Sequence, residues 1–251
     1  MTATVNAVRE VLMSPSASAS AQAVALAAGA LLVTSVLMVW RRELSAQVRL
    51  LTAQGVALGV LAATVGLSAG PGGSRAELLL VALLVLALRA VLIPWVLGRR
   101  LRSAVDAGDA AREDGTRLNP TAGLVLVALL TTVAYLVSRP ISESLARATG
   151  AHAPAAAPAA FAVPVGIAMV LIGFLLLVGR RRALSQLVGF LVLDNGIATV
   201  AFLTAAGVPF AVELGISSDV LLVVLILAVL SRRIHAQLGA TALDQLTELR
   251  D

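Results

Sequence analysis

The chain has 251 residues, of which 59% are hydrophobic and 13% charged, with a formal net charge of +5. A water-soluble domain carries roughly 25% charged residues, so the composition excludes a soluble globular enzyme, and the same apolar excess excludes a disordered chain. What remains is an all-α polytopic membrane protein.

Seven stretches approach the roughly 20 apolar residues that a helix needs to cross a bilayer core. They lie at about 21–40, 48–68, 76–97, 121–138, 159–179, 184–205 and 210–230. Residues 1–20 are rich in Ser and Ala and lack the basic start and short apolar run of a cleaved signal, so they read as an N-terminal extracytoplasmic segment before a true first span. Residues 21–100 then hold three spans, and 101–158 a cytoplasmic loop, a linking helix and an outer loop. Residues 159–231 hold three further spans, and 232–251 form a cytoplasmic tail. Within the first loop, residues 101–118 mix Arg102, Arg112 and Arg117 with Asp106, Asp109, Glu113 and Asp114 and read as a solvated connector. Residues 139–158, rich in Ala and Pro, read as a connector with no chemistry.

Every basic side chain apart from His is arginine. Clusters at Arg41, Arg42 and Arg49, at Arg99 to Arg117, at Arg180 to Arg182, and at Arg232, Arg233 and Arg250 place fourteen arginines on one side. The other side has four, Arg9, Arg75, Arg139 and Arg147, while Arg89 falls inside the third span. This asymmetry predicts an outside N-terminus and a cytoplasmic C-terminus. Trp40 and Trp95 then sit at cytoplasmic span ends, as an interfacial aromatic belt requires. No separate basic domain exists to bind nucleic acid, so the surrounding medium is the lipid bilayer. Cysteine is absent, which removes disulfides, iron–sulfur ligation and a thiol nucleophile. His152 and His235 fall in loops, and no serine–histidine–acid trio, phosphate loop or metal-ligand spacing is present. The expectation is a non-catalytic chain with no cofactor and no metal of its own.

The sequence repeats at an offset of 140: Arg42, Leu44, Ser45, Val48, Leu51 and Val60 meet the same residue types at Arg182, Leu184, Ser185, Val188, Leu191 and Val200. Two three-helix repeats joined by one helix follow. An odd linker gives them the same orientation, as parallel repeats require. The offset sets Gln54 opposite Asp194.

A charge near mid-bilayer costs roughly 2.5–3.5 kcal/mol on insertion scales, so each one calls for a compensating role. Asp194 lies about 15 Å into its span at 1.5 Å per residue, with Asn195 beside it. It is either a proton carrier or a hydrogen-bonded structural acid. Asp219 sits about two turns inside the last span, near Ser217 and Ser218, as a second carrier or as a helix cap. Glu213 stands at the outer mouth, as an exit site or a solvated rim acid. Arg89 either snorkels to the cytoplasmic surface or acts as a fixed charge on a neighbouring carboxylate, since arginine keeps its proton. Gln54 either bonds across helices or packs. Gly55 and Gly59 form a step suited to close helix packing.

The segment GFLVLDNGIATVAFLTAAGVPFAVELGISSDVLLVVLILAVL, with the basic tail after it, resembles the membrane subunit called hydrogenase-4 component E, as does LRAVLIPWVLGRRL. The last three helices also resemble the NuoK subunit of respiratory complex I, with Asp194 and Asp219 at the positions of its intramembrane glutamates. The resemblance implies a membrane subunit of a complex I-like, membrane-bound hydrogenase assembly. Its partners would be antiporter-like membrane subunits and a [NiFe]-hydrogenase-like or related peripheral arm. Asp194, Asp219 and Glu213 would relay protons, with Arg89, Gln54 and Asn195 modulating them. Aspartate stands here for the family's glutamate at 194, and arginine for its common lysine at 89.

Overall fold

The computed structural model describes residues 15–68, 80, 82–106, 119–149, 156–180 and 183–204. Its regular elements are helices. They run α1 (Pro15–Trp40), α2 (Leu44–Ser68), a π-helical segment (Leu86–Leu92) continuing into α3 (Ile93–Asp106), α4 (Pro120–Thr149), α5 (Ala156–Gly179) and α6 (Ala183–Thr204). Six helical stretches among the described residues are long and apolar enough to cross a membrane. The chain is a multi-pass membrane protein. The seventh expected span, 210–230, lies outside the described residues, and so do Glu213 and Asp219.

Helix is the only open form that satisfies every backbone group within one segment in lipid. Side-chain hydroxyls meet the same demand by turning back on the helix. Thr34 Oγ1 donates to the Ala30 carbonyl at 2.7 Å and Ser35 Oγ to the Leu31 carbonyl at 2.7 Å. Three boundaries differ from the sequence reading. Helix α1 begins at Pro15, inside the segment assigned to residues 1–20; proline is favoured at a helix start, where its missing N–H is not needed. Helix α3 extends to Asp106, so the connector expected from 101 is helical over its first residues. Helix α4 continues through Pro140 to Thr149, and α5 begins at Ala156, so most of the connector expected over 139–158 is helical too. Beside the proline, Ser138 Oγ bonds the Tyr135 carbonyl at 3.2 Å and Ser144 Oγ bonds the Pro140 carbonyl at 2.7 Å.

The α1–α2 and α5–α6 turns are built alike. In the first, Gln47 Nε2 donates to the Arg41 carbonyl at 2.8 Å, and in the second, Gln186 Nε2 donates to the Arg180 carbonyl at 3.1 Å. Arg41 N–H closes on Leu37 and Arg180 N–H on Leu176, at 2.9 and 3.1 Å. These matched bonds stand 139 residues apart, one fewer than the offset of the sequence repeat. In this register Gln54 pairs with Leu193, not with Asp194. The two turns are also tied to each other: Arg180 Nη2 donates to the Met38 and Arg41 carbonyls at 2.9 and 3.1 Å. Both turns therefore lie at one level, on the arginine-rich side.

Helix α5 packs most extensively on α6, α1 on α2, and the halves meet where α1 touches α5 and α2 touches α6. Small residues set these approaches. A Cβ built on Gly55 would lie 2.5 Å from backbone atoms of Arg89 and Ala90, and one on Gly173 would lie 2.4 Å from the Leu193 nitrogen. Helix α4 packs chiefly on α5 and is the least buried span.

Two apolar clusters fill the interior. One joins Leu31, Leu58, Leu61, Val85, Val163, Met169 and Ala198. The other joins Met38, Leu51, Ile93, Leu97, Ile172, Leu176 and Leu191, nearer the arginine-rich side. Overpacking a tight core contact costs about 1–3 kcal/mol. Gly173→Ala is therefore expected to lower the unfolding midpoint of the purified protein, followed by Trp40 and Trp95 fluorescence. Gly29→Ala, where nothing lies within 4 Å of the added carbon, is expected to leave it unchanged.

Candidate functional site

A polar layer lies between the two apolar clusters. On α2, Gln54 stands between Leu51 of one cluster and Leu58 of the other; on the third span, Arg89 stands between Ile93 and Val85; on α6, Asp194 stands between Leu191 and Ala198. Each of these positions is near the middle of its membrane span. All are withdrawn from solvent and lipid: Gln54 is 0% exposed, Arg89 3% and Asp194 7%.

Their polar atoms form one connected chain. Arg89 Nη1 pairs directly with Asp194 Oδ2. The same nitrogen donates to Asn195 Oδ1 at 2.7 Å. Asn195 Nδ2 donates to Gln54 Oε1 at 3.2 Å, Gln54 Nε2 to Ser35 Oγ at 2.7 Å, and Ser35 Oγ to the Leu31 carbonyl at 2.7 Å. Thr199 Oγ1 braces α6 beneath the asparagine by bonding the Asn195 carbonyl at 2.7 Å. Four membrane spans contribute. Both halves of the chain meet here, since Arg89, Gln54 and Ser35 come from the first and Asp194 and Asn195 from the second.

The π-helical segment places the arginine. Residues Leu86–Leu92 follow the wider helix, with Arg89 at their centre. Such segments inside α-helices are often found at functional sites. Gly55 lets the main chain at Arg89 and Ala90 touch α2. The guanidinium then reaches α6 instead of running along α3 to the surface, which overturns the snorkelling alternative. Sequence reasoning singled out Arg89, Gln54, Asp194 and Asn195, and the fold brings all four together. It missed Ser35, whose only signal is a Thr-Ser pair in an apolar span. It missed the π-helical turn, which leaves no mark in the residue pattern.

Two donors of the arginine, Nε and Nη2, are buried and have no hydrogen-bond partner among the described residues. Beside them is a cavity of about 10 Å³ lined by Leu51, Arg89, Ile93, Leu191 and Asn195. One water needs roughly 10–15 Å³ and at least two polar partners; Arg89 and Asn195 supply them. Leu51, Leu191 and Ile93, a turn toward the arginine-rich side of the ion pair, form the apolar part of its wall. Among the described residues no group of three or more His, Cys, Asp or Glu is placed to hold a metal ion. The site is suited to holding charge and water, with a carboxyl group as its single exchangeable acid.

The chain is 44% identical over 226 residues to a Mycobacterium tuberculosis protein, "Uncharacterized protein Rv0085", covering 90% of this chain and 94% of that protein. The chain belongs to that protein's family. It is also 30% identical over 131 residues to "Hydrogenase-4 component E" of Escherichia coli and of Shigella flexneri, covering 52% of this chain and 56% of theirs. That likeness is distant and takes in about half of each protein. No protein-family model matches, and no solved structure matches.

Removing one member of a buried ion pair costs about 3–5 kcal/mol, because the other charge is left uncompensated, while replacing both with apolar groups is often neutral. Arg89→Leu and Asp194→Leu are each expected to lower the unfolding midpoint sharply, and the double variant to recover most of the loss. A double-mutant cycle on the purified protein reads the coupling directly. Additive single losses would show that the two side chains do not pair.

Proposed function

We propose that this chain is an integral membrane subunit of a complex I-like, membrane-bound hydrogenase assembly of the hydrogenase-4 or formate hydrogenlyase type, contributing intramembrane carboxylates to proton translocation. The observation that carries the reading is the buried Arg89–Asp194 pair, joined through Asn195 and Gln54 to Ser35 across the middle of the membrane spans. Ionisable side chains inside membrane spans are costly, and where they persist they commonly mark ion pathways and proton relays. The likeness to hydrogenase-4 component E supports the type of assembly. In this reading Asp194 takes and gives the proton. Arg89 cannot surrender its own proton; it holds the negative form of Asp194 and releases it when the carboxyl group is protonated. Asn195 and Gln54 orient the pair. Asp219 and Glu213 continue the relay toward the outside. The redox centres belong to other subunits, and the partners are antiporter-like membrane subunits with a [NiFe]-hydrogenase-like or related peripheral arm. The N-terminus lies outside, the C-terminus in the cytoplasm, and the chain comprises two parallel three-helix repeats.

A second reading, a non-conducting structural anchor of the same type of complex, is favoured by the direct closure of Arg89 on Asp194. An ion pair that never opens would serve to lock the two halves together. The two readings part on one experiment. Affinity purification of the tagged protein from its own membranes, with mass spectrometry of what stays bound, is expected to recover antiporter-like subunits and a hydrogenase-like large subunit. In vesicles of those membranes, Asp194→Asn, which keeps an oxygen that can accept from Arg89, is expected to reduce electron-transfer-driven proton movement, followed with a pH-sensitive dye, more than it reduces that assembly. Asp194→Glu should retain it. Full proton movement with Asp194→Asn and Asp219→Asn together would overturn the relay and leave the anchor. A protein that purifies alone would overturn both.

A further inference from the structure

At the arginine-rich side, where α1 and α5 end and α4 begins, there is a half-open cavity of about 30 Å³. Arg42, Arg180, Asn119, Pro120, Val39 and Leu176 are among the residues that line it. Its volume is about two to three times the roughly 10–15 Å³ that one water requires, so it admits at least two oxygen-sized groups. Arg180 is 5% exposed, and its bonds to the Met38 and Arg41 carbonyls fix the guanidinium in the wall. Arg42 is half-buried and makes no ion pair with any described residue. Among the described residues that line the cavity none is acidic.

The start of α4 adds to the positive field. Pro120 has no N–H, and the bond from Gly123 N–H to the Asn119 carbonyl, 2.8 Å, is the first to close. The N–H groups of Thr121 and Ala122 precede it at the positive end of a 30-residue helix. Two arginines and a helix start around an opening of this size fit a phosphate group. The remaining wall is apolar, through Val39 and Leu176, and the same helices present Trp40, Val125 and Val178 outward close by. A phosphate that carries acyl chains satisfies both halves of this surface, whereas a free phosphate leaves the apolar half unused.

We propose that this cavity holds the phosphate of an anionic phospholipid, in the leaflet on the arginine-rich side. The assignment is independent of the proton-relay reading. Basic pockets between helix ends are suited to such headgroups, and each basic residue near an anionic surface contributes about a fivefold preference. The test uses the full chain, delipidated in detergent and titrated with phosphatidylglycerol or phosphatidylcholine under native mass spectrometry. The expected result is one phosphatidylglycerol retained in preference to phosphatidylcholine, with Arg42→Gln weakening retention about fivefold. Arg49→Gln, an exposed arginine on the same side but outside the cavity, should leave retention unchanged. Gly123→Val fills the cavity without removing charge, since a Cβ there already lies 3.1 Å from Val39 Cγ1, and should expel the lipid. Equal retention of the two lipids, or equal effects of Arg42→Gln and Arg49→Gln, would overturn the proposal. Displacement of the lipid by inorganic phosphate alone would assign the cavity to a soluble anion and overturn the lipid assignment.

Discussion

The structure depends on one constraint: an arginine and an aspartate share a buried layer in the middle of a membrane protein. Each alone would be intolerable there, and together they remain costly unless their other lone pairs and protons are met. The surrounding architecture follows from meeting them. Asn195 and Gln54 pass the hydrogen bonding outward from the pair until it ends on Ser35 and a helix carbonyl. Glycines at 55 and 173 let the backbones close in, and apolar clusters seal the layer from both sides.

The pair also explains why the two halves are one unit. Asp194 and Asn195 belong to α6, and Arg89, Gln54 and Ser35 to the first half. No half can bury its own polar residues without the other. A second tie, from Arg180 to the end of α1, fixes the turns at a common level. The interior contact orients the halves about the centre, and the turn contact prevents them from sliding along the membrane normal.

Much of this was legible in the sequence. Apolar run lengths gave the spans, because lipid imposes a minimum length that few other environments demand. Isolated polar residues in those runs marked the site, because each stands against a steep cost. The rest was illegible for physical reasons. Helix ends outside the apolar zone obey local propensity and capping, so Pro15, Asp106 and Thr149 bound longer helices than hydropathy suggests. The repeat register slipped by one residue because leucine and valine match by chance. A π-helical turn depends on backbone packing against Gly55, and no residue type encodes it. That Arg89 turns inward, and not along its helix toward the surface, is decided by a partner 105 residues away.

The light burial of α4 has a consequence for the continuity of the polypeptide. The halves touch through α1 with α5 and α2 with α6, and α4 takes no part in the polar layer. It acts as a tether whose main service is to return the chain to the side from which the second half must start. Nothing in the central layer requires the peptide bonds between α3 and α4 to be intact. Two separate polypeptides divided there would carry all the contacts that join the halves, and the same architecture is open to genes that are split or fused at that point.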